Sequence, residues 1–165
     1  CDWSSDVCSS DLLKSIFLFT FIITSLVADP AKHSTYVVDL MTKAKKLIKP
    51  ISPKEFYTLV DEDEVEFIQL DVREDNQYGH GEIFALNTVK LTRGYVEYKI
   101  EKEIKNKNAK IIVVCCSGKR ALLAGKTLID LGYKDVSFLE GGVNGWLNSG
   151  YPLDTVFGEL YLNRK

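Results

Sequence analysis

"IIVVCCSGKRALLAGKTLIDLG", residues 111–132, decides the fold. An apolar run, Ile111 through Val114, ends on two adjacent cysteines. Ser117, Gly118, Lys119 and Arg120 follow, and then apolar residues recur at helical spacing. With Lys110 the run reads as a buried strand over residues 110–115, the strongest in the chain. Residues 120–131 read as a helix, with Gly132 as its C-terminal cap.

The same alternation extends outward. Residues 66–73, "EFIQLDVR", read as a buried strand ending in polar residues, and residues 85–91, "ALNTVKL", as a weaker one. Residues 95–108 carry Val96, Ile100 and Ile104 at four-residue steps, an amphipathic helix. Residues 136–140 give another strand, and "GGVNGWLNSGYP", residues 141–152, a turn, a short helix and a stop. Upstream, Tyr36, Leu40, Ala44 and Leu47 mark a helical pattern within residues 33–52. Lys43, Lys45, Lys46 and Lys49 give it a solvated face, and Pro50 ends it. In "SPKEFYTLVDE", Ser52 is an N-cap, Pro53 the first helical residue and Glu55 the reciprocal partner. Strands alternating with helices predict an α/β fold, an open and largely parallel sheet with helices on both faces.

The chain has 165 residues, 45% of them apolar and 27% charged, enough for one domain with a real core. Its 21 basic and 23 acidic residues give a net charge of -2 with no basic stripe, which argues against nucleic acid as a partner. No His, Cys, Asp or Glu cluster has metal-ligand spacing. Neither a GxxxxGK[ST] nor a GxGxxG motif is present.

The N-terminus has its own logic. "CDWSSDVCSSDL", residues 1–12, lacks an initiator Met and is acidic, and it resembles sequencing-adapter read-through. Lys14 then flanks an almost uncharged run, residues 16–28. That is short for a bilayer span, which needs ~20 residues, and suits a secretory h-region of ~7–15. Residues 13–28 therefore read as an export signal cleaved after Ala28, with an uncleaved membrane anchor as the alternative. Cleavage would remove Asp2, Asp6, Asp11, Lys14, Cys1 and Cys8, leaving a neutral chain with only Cys115 and Cys116. Such an exported protein has no disulfide framework, so the adjacent pair needs a chemical explanation.

In an open parallel sheet, ligands bind beyond the carboxyl ends of the strands, where Cys115 sits. The helix starting near Arg120 points its N-terminus, with free N–H groups and roughly +0.5 of a charge, at the same place. Ser117 and Gly118 let the backbone curl its amides inward, and Lys119 and Arg120 add full charges. This setting favours a thiolate, the nucleophilic form of cysteine. The plainer alternative for Cys115 is a small, inert, buried residue. Cys116 is either a loop residue or a resolving thiol, though a disulfide between sequence neighbours is strained.

"DVRE" (residues 71–74), "VVCCSGKRA" (113–121), "LGYKDVSFLEGGVNGW" (131–146) and "GYPL" (150–153) together resemble a single-domain rhodanese, of the exported type. The resemblance covers residues 51–153, with residues 29–50 as an N-terminal extension and 154–165 as a tail. It implies a Cys-x4-Arg loop whose first cysteine, here Cys115, carries a sulfane sulfur, with Arg120 closing the loop. The related cell-cycle phosphatases use Cys-x5-Arg, and neither Cys115 nor Cys116 stands in that register to Arg120. Asp71 and Arg73 resemble scaffold residues of the family, the Asp bonding loop amides and the Arg pairing with a carboxylate. Gly141, Gly142 and Trp146 read as turn and packing.

Two departures stand out. Where the family often has Gly-His-Ile-Pro-Gly-Ala, this chain has "GEIFAL", residues 81–86, with Glu82 in the His place and His80 two residues earlier. "LTRGYVEYKI", residues 91–100, resembles a variant of exported members that places Arg-Gly near the site mouth, making Arg93 a candidate anion-binding residue. The implied activity is sulfur transfer through a Cys115 persulfide, with no cofactor, between a small sulfur compound or protein persulfide and a thiophilic acceptor. The alternatives are a non-catalytic binding or sulfur-carrier module, and a thiol-disulfide oxidoreductase using Cys115 and Cys116.

The export reading has a direct check. Expressed from its native start, the chain is expected to yield a periplasmic form whose N-terminal sequencing begins near Asp29. Full-length chain in the soluble cytoplasm would overturn it.

Overall fold

Why one face of the sheet carries the thiol follows from the alternation of a single strand. The computed structural model describes residues 35–62 and 66–162. The expectations on residues 1–12 and 13–28 lie outside the described residues, as does the start of the extension at 29–34.

Helix α1 spans Thr35–Lys45 and strand β1 Lys49–Ile51. Then come α2 (Pro53–Glu62), β2 (Ile68–Asp71), the single turn α3 (Asp75–Tyr78) and β3 (Thr88–Lys90). A 3-10 turn, Arg93–Tyr95, leads into α4 (Val96–Glu103) and β4 (Lys110–Val114). The chain continues through α5 (Lys119–Asp130), β5 (Asp135–Leu139) and α6 (Gly142–Asn148). A hairpin of β6 (Leu153–Thr155) and β7 (Gly158–Leu160) follows. The five-stranded sheet has the order β1-β5-β4-β2-β3, and every neighbouring pair in it is parallel.

Strand β4 lies at the centre, with Val113 opposite Leu70 on one side and Phe138 on the other. Side chains alternate across a strand. Ile111, Val113 and Cys115 enter one core with Leu70 and Val72. That core is closed by Ala44 near the end of α1, Val96 and Ile100 of α4, and Ala121, Ala124 and Leu128 of α5. Ile112 and Val114 enter the other core, under Phe56 of α2 and Val143 and Trp146 of α6. Helices therefore cover both faces, as the strand-helix alternation predicts. Each large apolar side chain so buried stabilises the fold by about 1.5–3 kcal/mol.

Several boundaries depart from the sequence expectation. The helix expected within residues 33–52 stops at Lys45, and Lys49–Ile51 is instead an edge strand on β5. Pro50 is tolerated there because an edge strand leaves one side unpaired. The helix expected to reach Asn108 ends at Glu103; Ile104 turns extended while staying buried at 2% exposure. Helix α3 and the β6–β7 hairpin stand where no element was expected. Residues 154–160, within the expected tail, bridge back to the sheet domain through Glu82 and Asp154.

The start of α2 matches its sequence signature. Glu55 N–H donates to Ser52 Oγ at 3.2 Å, and Ser52 N–H donates to Glu55 Oε2 at 2.9 Å. Removing the hydroxyl with Ser52→Ala is expected to cost about 1 kcal/mol. Urea denaturation should register it as a lower midpoint with an unchanged slope.

Candidate active site

The site is built where β4 stops and two helices begin. Cys115 follows the last residue of β4 and is fully buried, its side chain in the core beside Ala121. Its Sγ accepts the N–H of Ala121 at 3.3 Å. Ala121 is the third residue of α5, so this is one of the donors that a helix start leaves without a partner inside the helix. Gly118 is the N-cap, in the left-handed region at φ +80°. A Cβ there would stand 3.1 Å from the carbonyl oxygen of Leu139. Its conformation turns the chain from strand into helix within the few residues that the loop allows.

The loop is pinned from below by α6. Val143 N–H donates to the Cys115 carbonyl and Asn144 N–H to that of Cys116, both at 2.9 Å. This approach requires Gly142, since a Cβ on it would lie 2.1 Å from the Cys115 oxygen and 2.7 Å from the Gly118 nitrogen. The sequence reading took Gly142 as a turn residue; here it also admits the loop backbone.

Arg120, at the start of α5, turns its guanidinium toward Cys116. Its Nη2 donates to Cys116 Sγ at 3.3 Å and to Gln77 Oε1 at 2.7 Å, and Nη1 pairs with Glu74 Oε1 at 3.1 Å. Cys116 is partly exposed, and both thiols are free. The two sulfurs thus have different donors: a backbone amide for Cys115, a guanidinium for Cys116. Ser117 and Lys119 are exposed at the rim. Glu74 and Gln77 were not singled out by sequence reasoning. Their signal was present, because Gln77 stands three residues after Glu74 and its Oε1 accepts the Glu74 N–H at 3.2 Å, half of a capping box.

Asp71 and Arg73 pair with each other. Asp71 Oδ1 accepts the Arg73 backbone N–H at 3.0 Å. Arg73 Nε donates to Oδ2 at 2.8 Å, and Nη2 lies 2.7 Å from the same oxygen without hydrogen-bond alignment. Nη1 donates to the carbonyls of Gly81 at 2.9 Å and Gln77 at 3.3 Å. Both side chains are about 2% exposed. The pair ties the end of β2 to α3, the turn that holds Arg120. Tyr78 donates its hydroxyl to the Arg73 carbonyl at 3.1 Å. Burial, and then the charge of Asp71, push its phenol up to about 12, so it stays a neutral donor.

The structure sends Arg93 elsewhere than the thiol loop. Nη1 pairs with Glu97 at 2.8 Å and Nη2 donates to Thr127 at 3.1 Å, joining the 3-10 turn to α4 and α5. Its candidate role as an anion binder therefore competes with a carboxylate already in place. His80 is exposed, and Glu82 pairs with Lys90 of β3.

Residues 52–149 match the family described as the rhodanese-like domain. The chain belongs to that family. A tRNA uridine(34) hydroxylase of Chlamydia caviae is 33% identical over 110 residues, 64% of this chain and 31% of that protein. The chain thus spans about a third of the length of the curated relatives it matches. The polysulfide-sulfur transferase homodimer of Wolinella succinogenes superposes with a TM-score of 0.61 at 28% identity, covering 79% of this chain and 90% of that one. A thiosulfate sulfurtransferase of Pseudomonas aeruginosa shares the fold, with a TM-score of 0.62 at 19% identity over 72% of this chain and 22% of that one. Within this rhodanese-like domain, Cys115 to Arg120 is the strand-to-helix loop that the family resemblance singled out.

The fit between α6 and the loop can be tested with two glycines. Gly142 and Gly150 both have positive φ, but a Cβ on Gly150 meets nothing within 4 Å. Gly142→Ala is expected to lose at least the ~1–3 kcal/mol typical of overpacking, and more than Gly150→Ala loses. Equal losses by chemical denaturation would show that the contact with the loop carries no weight.

Proposed function

We propose that the protein is a sulfurtransferase that carries a sulfane sulfur on Cys115. The observation that carries this reading is the Ala121 N–H aimed at the buried Cys115 sulfur from the start of α5. A helix N-terminus favours an anion at that point, and both a thiolate and a persulfide are anions. With thiosulfate as donor, the Cys115 thiolate attacks the outer sulfur, the S–S bond to sulfite breaks, and sulfite leaves with the electron pair. The enzyme persulfide then gives its terminal sulfur to a thiophilic acceptor such as cyanide, and the thiolate returns. Two half-reactions through a covalent intermediate predict ping-pong kinetics. The likeness to the polysulfide-sulfur transferase supports this class of chemistry. The apolar run at residues 16–28 supports an exported setting for it, in the periplasm or otherwise outside the cytoplasm, with a membrane-anchored form as the alternative.

A second reading comes from the 33% identity to a tRNA uridine(34) hydroxylase, in which this domain would serve tRNA modification. The net charge of -2 offers no excess of cations for tRNA phosphates, which favours the first reading. Incubation with tRNA and analysis of its nucleosides separates the two.

Cys115→Ser is expected to reduce thiosulfate-to-cyanide transfer to background and to abolish the cyanide-removable sulfur in the intact mass. Cys116→Ser should keep most of the rate, because its sulfur lies outside the amide contact. An equally deep loss in both variants would assign the transfer to the pair.

A further inference from the structure

At the end of the sheet away from the thiol lies a groove of about 580 Å3. Phe67 and Asn87, which line it, immediately precede β2 and β3, so it opens at the amino ends of strands whose carboxyl ends face Cys115. Its apolar wall is formed by Tyr57 and Trp146, with Phe84 and Leu86 at 61% and 69% exposure. Aromatic contacts fix the wall in place: Tyr57 stacks on Tyr151 at 4.5 Å, and Trp146 donates its indole N–H to the Pro152 carbonyl at 2.6 Å.

The charged residues lining the groove all have one sign: Asp61, Glu66, Asp154 and Glu159. Among the described residues, the seven ion pairs include none of these four carboxylates. By contrast, Asp39, Glu74, Glu82, Glu97, Glu101 and Asp130 each have a Lys or Arg partner. One local concentration of negative charge thus stands beside exposed large apolar side chains in a chain whose net charge is only -2. Phe84 and Leu86, two residues apart and each more than half exposed, offer apolar surface beside these carboxylates. Charges of one sign select a partner of the other, and aromatic faces beside them hold cations well.

We propose that this groove docks a basic polypeptide segment of a partner protein, one that alternates apolar side chains with Lys or Arg. The apolar side chains lie against Tyr57, Phe84 and Leu86, and the cations meet the four carboxylates. Because Tyr57 and Trp146 are already held in place, ordering them adds little to the entropic cost of binding. The docking is independent of sulfur transfer, since the groove lies at the amino ends of the strands and Cys115 at a carboxyl end.

Trp146 reports on the groove directly, and a Trp3→Phe background leaves it the one tryptophan of the chain. The probe is a hexapeptide alternating leucine and arginine, with its leucine-glutamate counterpart as control. The arginine peptide is expected to change Trp146 emission saturably and to bind more weakly as salt rises. Asp61→Lys with Glu66→Lys should weaken it at least tenfold. Glu101→Lys with Glu103→Lys, the same charge change on α4 across the sheet, should leave it within twofold. Cys115→Ser should bind as the parent does, so failure of the sulfur-transfer reading leaves this one standing. Circular dichroism of each variant checks that the fold is retained; if the double reversal unfolds, Phe84→Ser with Leu86→Ser should give the same tenfold loss. No change in Trp146 emission, equal binding of the glutamate peptide, or equal effects of the two reversals would overturn the proposal. So would concentration-dependent self-association by sedimentation that Asp61→Lys with Glu66→Lys abolishes, which would give the groove to a second copy of the chain.

Discussion

The architecture depends on one close approach, that of the α6 N-terminus to the backbone of the Cys115 loop. The Cys115 and Cys116 carbonyls, just past β4, take their donors from this contact, and a buried carbonyl left without one costs about 1–3 kcal/mol. The amides of Val143 and Asn144, themselves orphaned at a helix start, satisfy them. Two deficits cancel in one contact, and the contact exists only because Gly142 has no side chain. Meanwhile α5 spends one of its own free amides on the sulfur. The loop is thus held between two helix beginnings, one fixing its backbone and the other facing its thiol.

A second constraint comes from β2. Burying the Asp71–Arg73 pair is costly unless nearly every polar atom has a partner. The Gly81 and Gln77 carbonyls and the Arg73 amide supply most of them. The pair therefore orders the irregular segment after β2 more than it adds net stability. That segment presents Glu74 and Gln77 to Arg120, so order at a buried ion pair reaches the loop through a surface guanidinium.

Much of this was legible in the sequence. Strand β4, helix α5 and the capped start of α2 have strong local signals: an uninterrupted apolar run, a helical period, and Ser52-Pro53-Glu55. The alternation along β4 puts Cys115 in the core of Ile111 and Val113, while Cys116 stands one residue further into the loop. Other features left weak local traces. Strand β1 is three residues with a proline, and its partner β5 lies almost ninety residues away. Helix α3 is a single turn held by Arg73 and by its own cap. The direction of Arg120 depends on Glu74 and Gln77, more than forty positions distant. Arg93 is half local: its carboxylate partner Glu97 stands four residues on, while Thr127, which it also reaches, sits on another helix. Local pattern encodes elements, whereas the aim of a long cationic side chain is set by whichever carboxylates the fold brings near it.

The two outermost strands of the main sheet have a consequence for how the molecule behaves in a crowded solution. Each is three residues long; β1 carries Pro50 and an exposed Lys49, and β3 ends on an exposed Lys90 held by Glu82. An open parallel sheet invites further strands to add at its rims, the first step toward fibrils. Here a rim offers too few backbone groups to template a guest, and one is interrupted by a residue without an N–H. The sheet that positions the thiol is therefore protected at its margins by shortness, an imino acid and surface ammonium groups.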